Sequence, residues 1–455
     1  MSEHKHGLEP HIVQWRAYLR RRQAIHNVDL DGLENHLRAQ FTSLTDAGLS
    51  VDEAFLVAVK RTGDLDELSR EFARGYSNEL LKQVVVPTGL GKRAGRGRRT
   101  EVTVVLALAV LSALAVKAPE LLGLSLEDEN ISFYARNASL FVLPMLTGYL
   151  GWKRGLDRVT KVLLGVTFAL AAFFVNMFPF SSGGATEFLT VLHLPLALWL
   201  VVGIAYAGVD WNSVSGRMDF IRFSGELAIY YVLIALGGGV LTVVTMAMFL
   251  SIGQELVWLA GEWILPCGAV GAVIIGSWLV EAKQNVIENM APVLTRVFTP
   301  LLVLSLLTFL VTMAWTGNGI DVEREVLIGF DLLLVLVLGL LLYAISARDP
   351  QAHPNAFDAL QLVLIVSALV VDAVALVAIA ARISEFGFSP NKVAALGENL
   401  ILLINLSWSA WLYARFLWGQ GTFTALERWQ TAYLPVYAVW VGLVVVIFPP
   451  LFGFV

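Results

Sequence analysis

Long apolar runs constrain this chain more than any other feature of its sequence. About eleven such runs follow residue 100, and each approaches the length of about 20 residues that carries a helix across about 30 Å of hydrocarbon. Because a backbone in hydrocarbon must satisfy its own hydrogen bonds, each run is predicted to be a transmembrane helix. The predicted spans are residues 102–120, 132–151, 160–179, 185–207, 224–250, 257–280, 295–315, 324–345, 358–381, 394–416 and 431–449.

The composition agrees with lipid as the main solvent of the chain. Of the 455 residues, 57% are hydrophobic and 15% are charged, whereas soluble domains average about 45–50% apolar and about 25% charged residues. We therefore predict an all-α, polytopic transmembrane helix bundle that has the lipid bilayer as its partner and binds no nucleic acid. The polar start of the chain predicts no cleaved signal peptide, and the single cysteine, Cys267, excludes an intrachain disulfide.

The distribution of positive charge predicts how the chain lies in the membrane. If the N-terminus is cytoplasmic, sixteen Lys and Arg residues fall in inner segments, five of them in the basic stretch 92–99. Only five fall in outer segments and outer span ends. Lys and Arg residues are enriched in the cytoplasmic loops of membrane proteins, so this distribution supports the assumed orientation. The sequence thus predicts a bacterial inner-membrane protein with a cytoplasmic N-terminus and an outer C-terminus. The five outer cations are Lys117, Arg136, Arg324, Arg382 and Lys392.

The first hundred residues form a separate region. Residues 1–80 show short amphipathic periodicities that predict a small cytoplasmic domain of four helices, the second of them from near Asp31 to before Gly48. A domain this small is marginally stable alone, so we expect it to dock on a cytoplasmic protein or on a second copy of itself. Residues 81–100 read as a basic, glycine-rich linker, and residues 101–455 as the membrane domain.

Two regions resemble known bacterial families. The stretch "DLDGLENHLRAQFTSLTDAGLSVDEAFLVAVKRTGDLDELSREFA" resembles the permease prefix domain over about residues 10–76. The stretches "GELAIYYVLIALGGGVLT", "NVIENMAPVLTRVFTPLL" and "RISEFGFSPNKV" resemble a multi-pass membrane family known as domain of unknown function 4153. That family has no established activity, so the resemblance implies an architecture and no mechanism. The residues that match its most specific motif are Arg382, Ile383, Glu385, Phe386, Gly387, Ser389 and Lys392.

Ionisable and amide side chains inside the spans are the candidate functional residues. A charge at the centre of a bilayer is unfavourable by about 2.5–3.5 kcal/mol or more, so such residues usually face protein or water. By depth, one set could meet in the outer half of the membrane and line a pathway for a cation, a proton or a small polar solute. The alternative is that each acid pairs locally and locks helices together. This set comprises His193, Asp331, Asp372, Arg382, Glu385, Glu398 and Asn405.

A second set lies toward the predicted cytoplasmic side. The segment "EAKQNVIENMAPVLTR" is amphipathic, which indicates a helix on the membrane surface; the sharper interpretation is a gate or a docking site. Gly237, Gly238 and Gly239 predict either close helix packing or local unwinding within the fifth span. The members of this inner set are Glu226, Glu281, Lys283, Glu288 and Asn289.

Three functional classes remain open on the sequence alone. A permease-like transporter or channel is favoured, a membrane-embedded sensor acting through residues 1–80 comes second, and a lipid-modifying membrane enzyme comes last. The chain lacks a phosphate-binding P-loop, a His-Glu-x-x-His motif and a Gly-x-Ser-x-Gly motif, so no cofactor or catalytic constellation is predicted. His4, His6 and His11 are not expected to form a metal site. The sequence leaves a homo-oligomer open.

Overall fold

The computed structural model describes residues 12, 30–46, 54, 55, 57–59, 91–126, 130–254, 257–282, 290–316 and 324–455. Contacts group the chain into two compact units, Met1–Glu101 and Val102–Val455, and each is considered by itself. The predicted boundary at residue 80 lies outside the described residues, as do His4, His6 and His11. The division into prefix domain and linker therefore stays a prediction.

The described part of the first unit is helical and has one apolar stripe. Helix α1 (Leu30–Asp46) buries Leu37, Phe41 and Leu44, which recur at helical spacing on one face. The range of α1 agrees with the predicted second helix of this region.

The second unit is a bundle of long helices joined by short connections. Each predicted span overlaps at least one helix, and the described residues contain no strand, so the all-α prediction is confirmed. The helices from residue 91 onward are α2 (Gly91–Lys117), α3 (Ile131–Lys153), α4 (Arg158–Met177), α5 (Ala185–Ala207), α6 (Val214–Ser251), α7 (Leu265–Ala282), α8 (Met290–Thr316), α9 (Arg324–Ala347), α10 (Ala356–Phe386), α11 (Pro390–Leu417), α12 (Phe423–Val446) and α13 (Phe448–Leu451).

Among the described residues, ten helices are long and apolar enough to cross a membrane, one fewer than the eleven predicted spans. The exception is α3, whose hydropathy is lowered by Arg136 and Asn137. Both side chains are engaged within the bundle: Arg136 forms an ion pair of 2.8 Å with Glu187, and Asn137 exchanges amide hydrogen bonds with Asn176 at 2.8 and 2.9 Å. Polar groups paired in this way let a less apolar helix sit in the bundle.

The sixth predicted span is helical throughout its described length. A helical turn at Val257–Leu259 passes through a π-helical turn at Ala260–Ile264 into α7. The described helix from Val257 to Ala282 favours a single crossing, although residues 255–256 and 283–289 lie outside the described residues.

Contacts between helix ends define the two ends of the bundle. At one, named here the basic end, Arg154 of the turn after α3 contacts Glu281 of α7 at 2.9 Å, and Arg222 of α6 donates to the carbonyl oxygen of Ser346 in α9. At the other, the C-terminal end, the backbone N–H of Thr186 donates to the carbonyl oxygen of Val455 at 2.7 Å. The charge bias predicts that the basic end is cytoplasmic.

A buried ion pair fastens four helices at the basic end. Arg348 follows α9 and makes two hydrogen bonds, of 2.7 and 2.9 Å, to the carboxylate of Asp358 in the first turn of α10. Its guanidinium also lies 4.8 Å from the ring centre of Phe416 in α11 and 4.4 Å from that of Phe423 in α12. Asn355 caps α10 and donates its backbone N–H to the same carboxylate, so Asp358 is fully engaged.

Helix α6 departs most from expectation. It runs for 38 residues, about 57 Å, and its second half is largely exposed on the surface of this chain. A Cβ added at Gly237, Gly238 or Gly239 would meet no atom within 4 Å, and the helix is unbroken there. Within the part of the chain that the structure describes, both interpretations of these glycines are therefore wrong, because neither a close neighbour nor an unwound turn is present.

Candidate functional site

Three acids from three neighbouring helices form the acid cluster: Asp331 of α9, Asp372 of α10 and Glu398 of α11. Helices α10 and α11 are joined by only three residues and make the most extensive contact of any helix pair in the described structure, and α9 packs against both. Asp331 lies within electrostatic range of both Asp372 and Glu398. The structure thus brings together three of the seven residues that the sequence assigned to the outer pathway.

Asp372 occupies the most buried position of the cluster. Its side chain is 0% exposed, and neither carboxylate oxygen has a hydrogen-bond partner among the described residues. Ala368, Val371 and Ala375 of the same helix are fully buried beside it and belong to the larger apolar core of the bundle. The carboxyl group therefore sits in an apolar setting with Asp331 as its charged neighbour.

Asn399 positions Asp331. Its amide Nδ2 donates to Oδ1 of Asp331 at 2.8 Å and to the carbonyl oxygen of Ala395 at 2.8 Å, which holds the amide in one orientation. The other amide atom, Oδ1, is buried without a described partner. Glu398 precedes Asn399 in the chain, and no hydrogen bond to its carboxylate occurs among the described residues. The cluster thus offers several oxygen atoms that accept no hydrogen bond.

No ion pair reaches the acid cluster from any described cation. Carboxylates that interact in a medium of low dielectric constant repel one another when they are ionised. A proton would relieve that repulsion, whereas the described residues contain no group of three or more His, Cys, Asp or Glu side chains placed to hold a metal ion. The arrangement is therefore chemically suited to take up and release a positive charge.

Asn405 belongs to a separate network. Its amide exchanges hydrogen bonds of 3.1 and 3.3 Å with the amide of Gln430 in α12, and Gln430 also donates to Oγ of Ser409 at 2.7 Å. Trp429 donates to the carbonyl oxygen of Asn405 at 3.2 Å. All these amide groups are used to join α11 to α12, so the contacts of Asn405 are those of a packing residue.

His193 also has a local role. It is buried in α5, and its Nδ1 contacts the carbonyl oxygen of Leu189 one turn earlier at 2.8 Å. Among the described residues, no hydrogen bond or ion pair joins the imidazole to an acid of the cluster. The geometry matches a histidine that is hydrogen-bonded within the core.

The motif "RISEFGFSPNK" forms the corner between α10 and α11. Gly387 has φ 71°, a left-handed conformation that favours glycine, and Pro390 starts α11. Lys392 donates to the carbonyl oxygens of Gly387 at 2.8 Å and Arg382 at 3.3 Å, which satisfies the end of α10. Glu385 is exposed, and Arg382 is half-buried. The ion pairs of the described residues do not join Arg382 to Glu398.

The structure describes only two of the five residues in the inner set, Glu281 and Glu226, and it gives them different surroundings. Glu281 has a side chain only 3% exposed and contacts Lys153 at 3.2 Å and Arg154 at 2.9 Å, which ties α7 to the end of α3. Glu226 is buried in α6 and lines a cavity at the basic end. Lys283, Glu288 and Asn289 lie outside the described residues, so their predicted role as a gate or dock stays a prediction.

Three residues near the candidate sites were not selected from the sequence: Asn399, Asp219 and Arg222. Asn399 follows Glu398 directly, and its amide inside an apolar run was the same signal that singled out Asn405. Asp219 and Arg222 precede Glu226 at intervals of three and four residues, the spacing of one helix face. That regularity in α6 was a signal that these three side chains share a surface.

Ten long apolar helices and buried ion pairs between their ends define a polytopic membrane protein. Comparison of the chain with family models, with curated proteins and with solved structures finds no match. The resemblances to the permease prefix domain and to the multi-pass family therefore stay predictions.

Proposed function

We propose that this protein is a permease-like transporter or channel for a cation, a proton or a small polar solute, with the acid cluster as its binding site. The observation that carries the proposal is Asp372, a fully buried carboxyl group near the middle of α10 whose two oxygen atoms have no described partner. A carboxyl group at such depth is unfavourable by about 2.5–3.5 kcal/mol, so a membrane helix retains one chiefly where function uses it.

The depths of the three acids support a pathway from the C-terminal end. At 1.5 Å per residue, Asp331 lies about 10 Å from the start of α9 and Glu398 about 12 Å from the start of α11. Asp372 lies about 21 Å before the end of α10. A cation arriving from the C-terminal end would meet Asp331 and Glu398 before Asp372.

The alternative role, a lock between helices, is less well supported at this site. In the second unit, the described ion pairs that join different helices occur near helix ends, as in Arg136–Glu187 and Arg348–Asp358. Those acids are held by a guanidinium, whereas the acid cluster has only the amide of Asn399. An amide orients a carboxylate without neutralising it, which leaves room for a mobile charge.

The test is a flux measurement in proteoliposomes. The full chain is reconstituted in vesicles that contain a pH-sensitive dye, and a potassium gradient with valinomycin supplies the driving voltage. Proton entry is followed first, and then entry driven by added sodium or by small polar solutes. We expect wild-type vesicles to show flux and Asp372→Asn vesicles to show almost none.

The control is Asp349→Asn, which removes an exposed acid at the basic end of the bundle, away from the acid cluster, and should leave flux unchanged. Equal loss of flux in both variants would indicate a general effect of removing a negative charge from the protein. Absence of flux in wild-type vesicles for every ion and solute tested would refute the proposal.

A further inference from the structure

The acid cluster is short of hydrogen-bond donors. Nδ2 of Asn399 donates to Oδ1 of Asp331 and to the carbonyl oxygen of Ala395, both at 2.8 Å, so both of its N–H groups are used. Oδ1 of Asn399 and both carboxylate oxygens of Asp372 are buried, and none of the three accepts a hydrogen bond from a described residue. The side chains of Asn399 and Asp372 are each 0% exposed, so bulk solvent does not supply the missing donor. The cluster therefore lacks hydrogen and not oxygen.

The charges around Asp372 do not supply that donor either. Helices α8, α9 and α11 pack against α10. Asp331 of α9 lies within electrostatic range of Asp372, and Glu398 of α11 lies within range of Asp331. Arg296 is the one ionisable side chain among the described residues of α8, and it is exposed near the start of that helix. Within α10 itself, Arg382 is ten residues, or about 15 Å, further along. The described neighbours of Asp372 are therefore acidic or apolar.

A single proton on Asp372 corrects this shortage. A buried carboxylate that has no hydrogen bond and no counter-ion is strongly unfavourable in a medium of low dielectric constant, and such groups are normally neutral. A neutral carboxyl group carries one O–H donor, which a carboxylate lacks. One proton on Asp372 therefore removes a buried charge and adds a donor to a cluster that has an unused acceptor in Oδ1 of Asn399.

A metal cation matches the cluster less well than a proton does. Ca²⁺ takes about 6–8 oxygen ligands and Mg²⁺ about six, all held at the same time. Among the described residues, no three or more acid, histidine or cysteine side chains are placed to hold one ion together. A proton needs one oxygen atom at a time and passes between acids in turn. Asp331 and Glu398 are half-buried whereas Asp372 is fully buried, so exposure to solvent falls along the cluster toward Asp372.

We propose that the species carried by the acid cluster is the proton, that Asp372 holds it, and that Asn399 is the residue that positions it. The transport step, which rests on the proposed function, is a transfer from Asp331 to Asp372. In this step the O–H bond of Asp331 breaks as an O–H bond forms on Asp372, so Asp331 becomes ionised and Asp372 neutral. Nδ2 of Asn399 stabilises the ionised Asp331, and Oδ1 of Asn399 accepts the O–H group of the neutral acid.

The first measurement detects the proton itself by infrared spectroscopy of the full chain in liposomes. The spectrum at alkaline pH is subtracted from that at acidic pH, and the C=O stretching band of neutral carboxyl groups is followed. We expect Asp372→Asn to remove one component of this band. Asn399→Leu should keep that component but move it to higher frequency, because the O–H group loses its acceptor. The same variant should lower proton flux about tenfold or more, through loss of a hydrogen bond to a charged group.

The matched control is Asn137→Leu, which makes the same change at a buried amide of α3, outside the acid cluster. It should change neither the carboxyl band nor the flux. A band that survives intact in Asp372→Asn would overturn the assignment to Asp372. A component that stays at its wild-type frequency in Asn399→Leu, or that both leucine variants shift equally, would overturn the role of Asn399. If Asn399→Leu fails to fold, Asn399→Ala replaces it with the same expected shift.

The second measurement identifies the transported species in proteoliposomes. One set of vesicles contains a pH-sensitive dye and a matched set contains a sodium-sensitive dye, and a potassium gradient with valinomycin drives both. We expect equal acidification with and without external sodium, and no entry of sodium. Sodium entry without acidification would overturn the assignment of the proton and leave the proposed transport function standing. Absence of all flux would refute transport, whereas the infrared band still decides whether Asp372 holds a proton.

Discussion

Asp358 and Asp372 offer a matched test of the reasoning, because one helix buries both. Their side chains are 1% and 0% exposed, but Asp358 is held by Arg348 and by the backbone N–H of Asn355, whereas Asp372 has no described partner. Replacement of each by alanine makes the same chemical change in two different environments. We expect the free energy of unfolding to change in opposite directions.

The two magnitudes follow from the partners that are left behind. Asp358→Ala leaves the guanidinium of Arg348, 11% exposed, without its counter-ion, and removal of one member of a buried pair destabilises by about 3–5 kcal/mol. Asp372→Ala removes a buried polar group without a partner, which favours the folded state by about 1–3 kcal/mol. The small void left by alanine offsets about a few tenths of a kcal/mol of that gain.

The measurement is reversible unfolding of the purified full chain in mixed micelles by titration with sodium dodecyl sulfate. The fluorescence of the 13 tryptophans reports the transition, and the buffer contains no metal cations. A loss of stability in Asp372→Ala as large as that in Asp358→Ala would refute the reasoning. It would mean that the carboxylate of Asp372 makes strong interactions within the fold.

Three further predictions concern groups at helix ends. Glu281→Gln should lower the free energy of unfolding by about 1–2 kcal/mol in the same titration, a value reduced because water reaches Lys153 and Arg154. Lys392→Met should lower it by about 0.5–1.5 kcal/mol, since the end of α10 loses two hydrogen bonds, and an unchanged transition would contradict that role. Asp157 accepts hydrogen bonds from the hydroxyl and backbone N–H of Thr160 and from the backbone N–H of Val159, which hold the pKa of its carboxyl below its usual value. Its stabilisation is therefore complete above about pH 4 and is lost as the pH falls through that lowered pKa, so Asp157→Asn should flatten the acid side of a stability–pH profile.

The positions of the transmembrane helices could be predicted from the sequence because lipid places the same requirement on each apolar segment. A run of about 20 apolar residues needs a helix whatever surrounds it, so the predicted spans each coincide with a helix. Helix α3 shows the limit of that rule. Arg136 lowers its apolar character, and its pairing with Glu187, 51 residues away, cannot be read from local composition.

The site was predictable only in part, because depth along a helix does not say which way a side chain faces. Depth grouped Asp331, Asp372 and Glu398, and the helices that carry them, α9, α10 and α11, pack against one another. Asn405 was grouped with them and instead joins Gln430. The cavity at the basic end could not be predicted from the sequence. Its acids and arginines lie near helix ends, where charged residues are common and do not stand out. The residues that line this cavity are brought together only by the packing of α3, α5, α6 and α7.

The placement of Asp372 also has a consequence for how the chain enters the membrane. Of the ten apolar helices described, α10 has the highest mean hydropathy, whereas α11 and α12 share the lowest. A central aspartate opposes insertion by about 2.5–3.5 kcal/mol, and the surrounding leucines, valines and isoleucines of α10 offset it. Helix α11, which carries Glu398, Asn399 and Asn405, has no such surplus. Because only three residues link it to α10, we expect the two helices to insert into the membrane together as a hairpin.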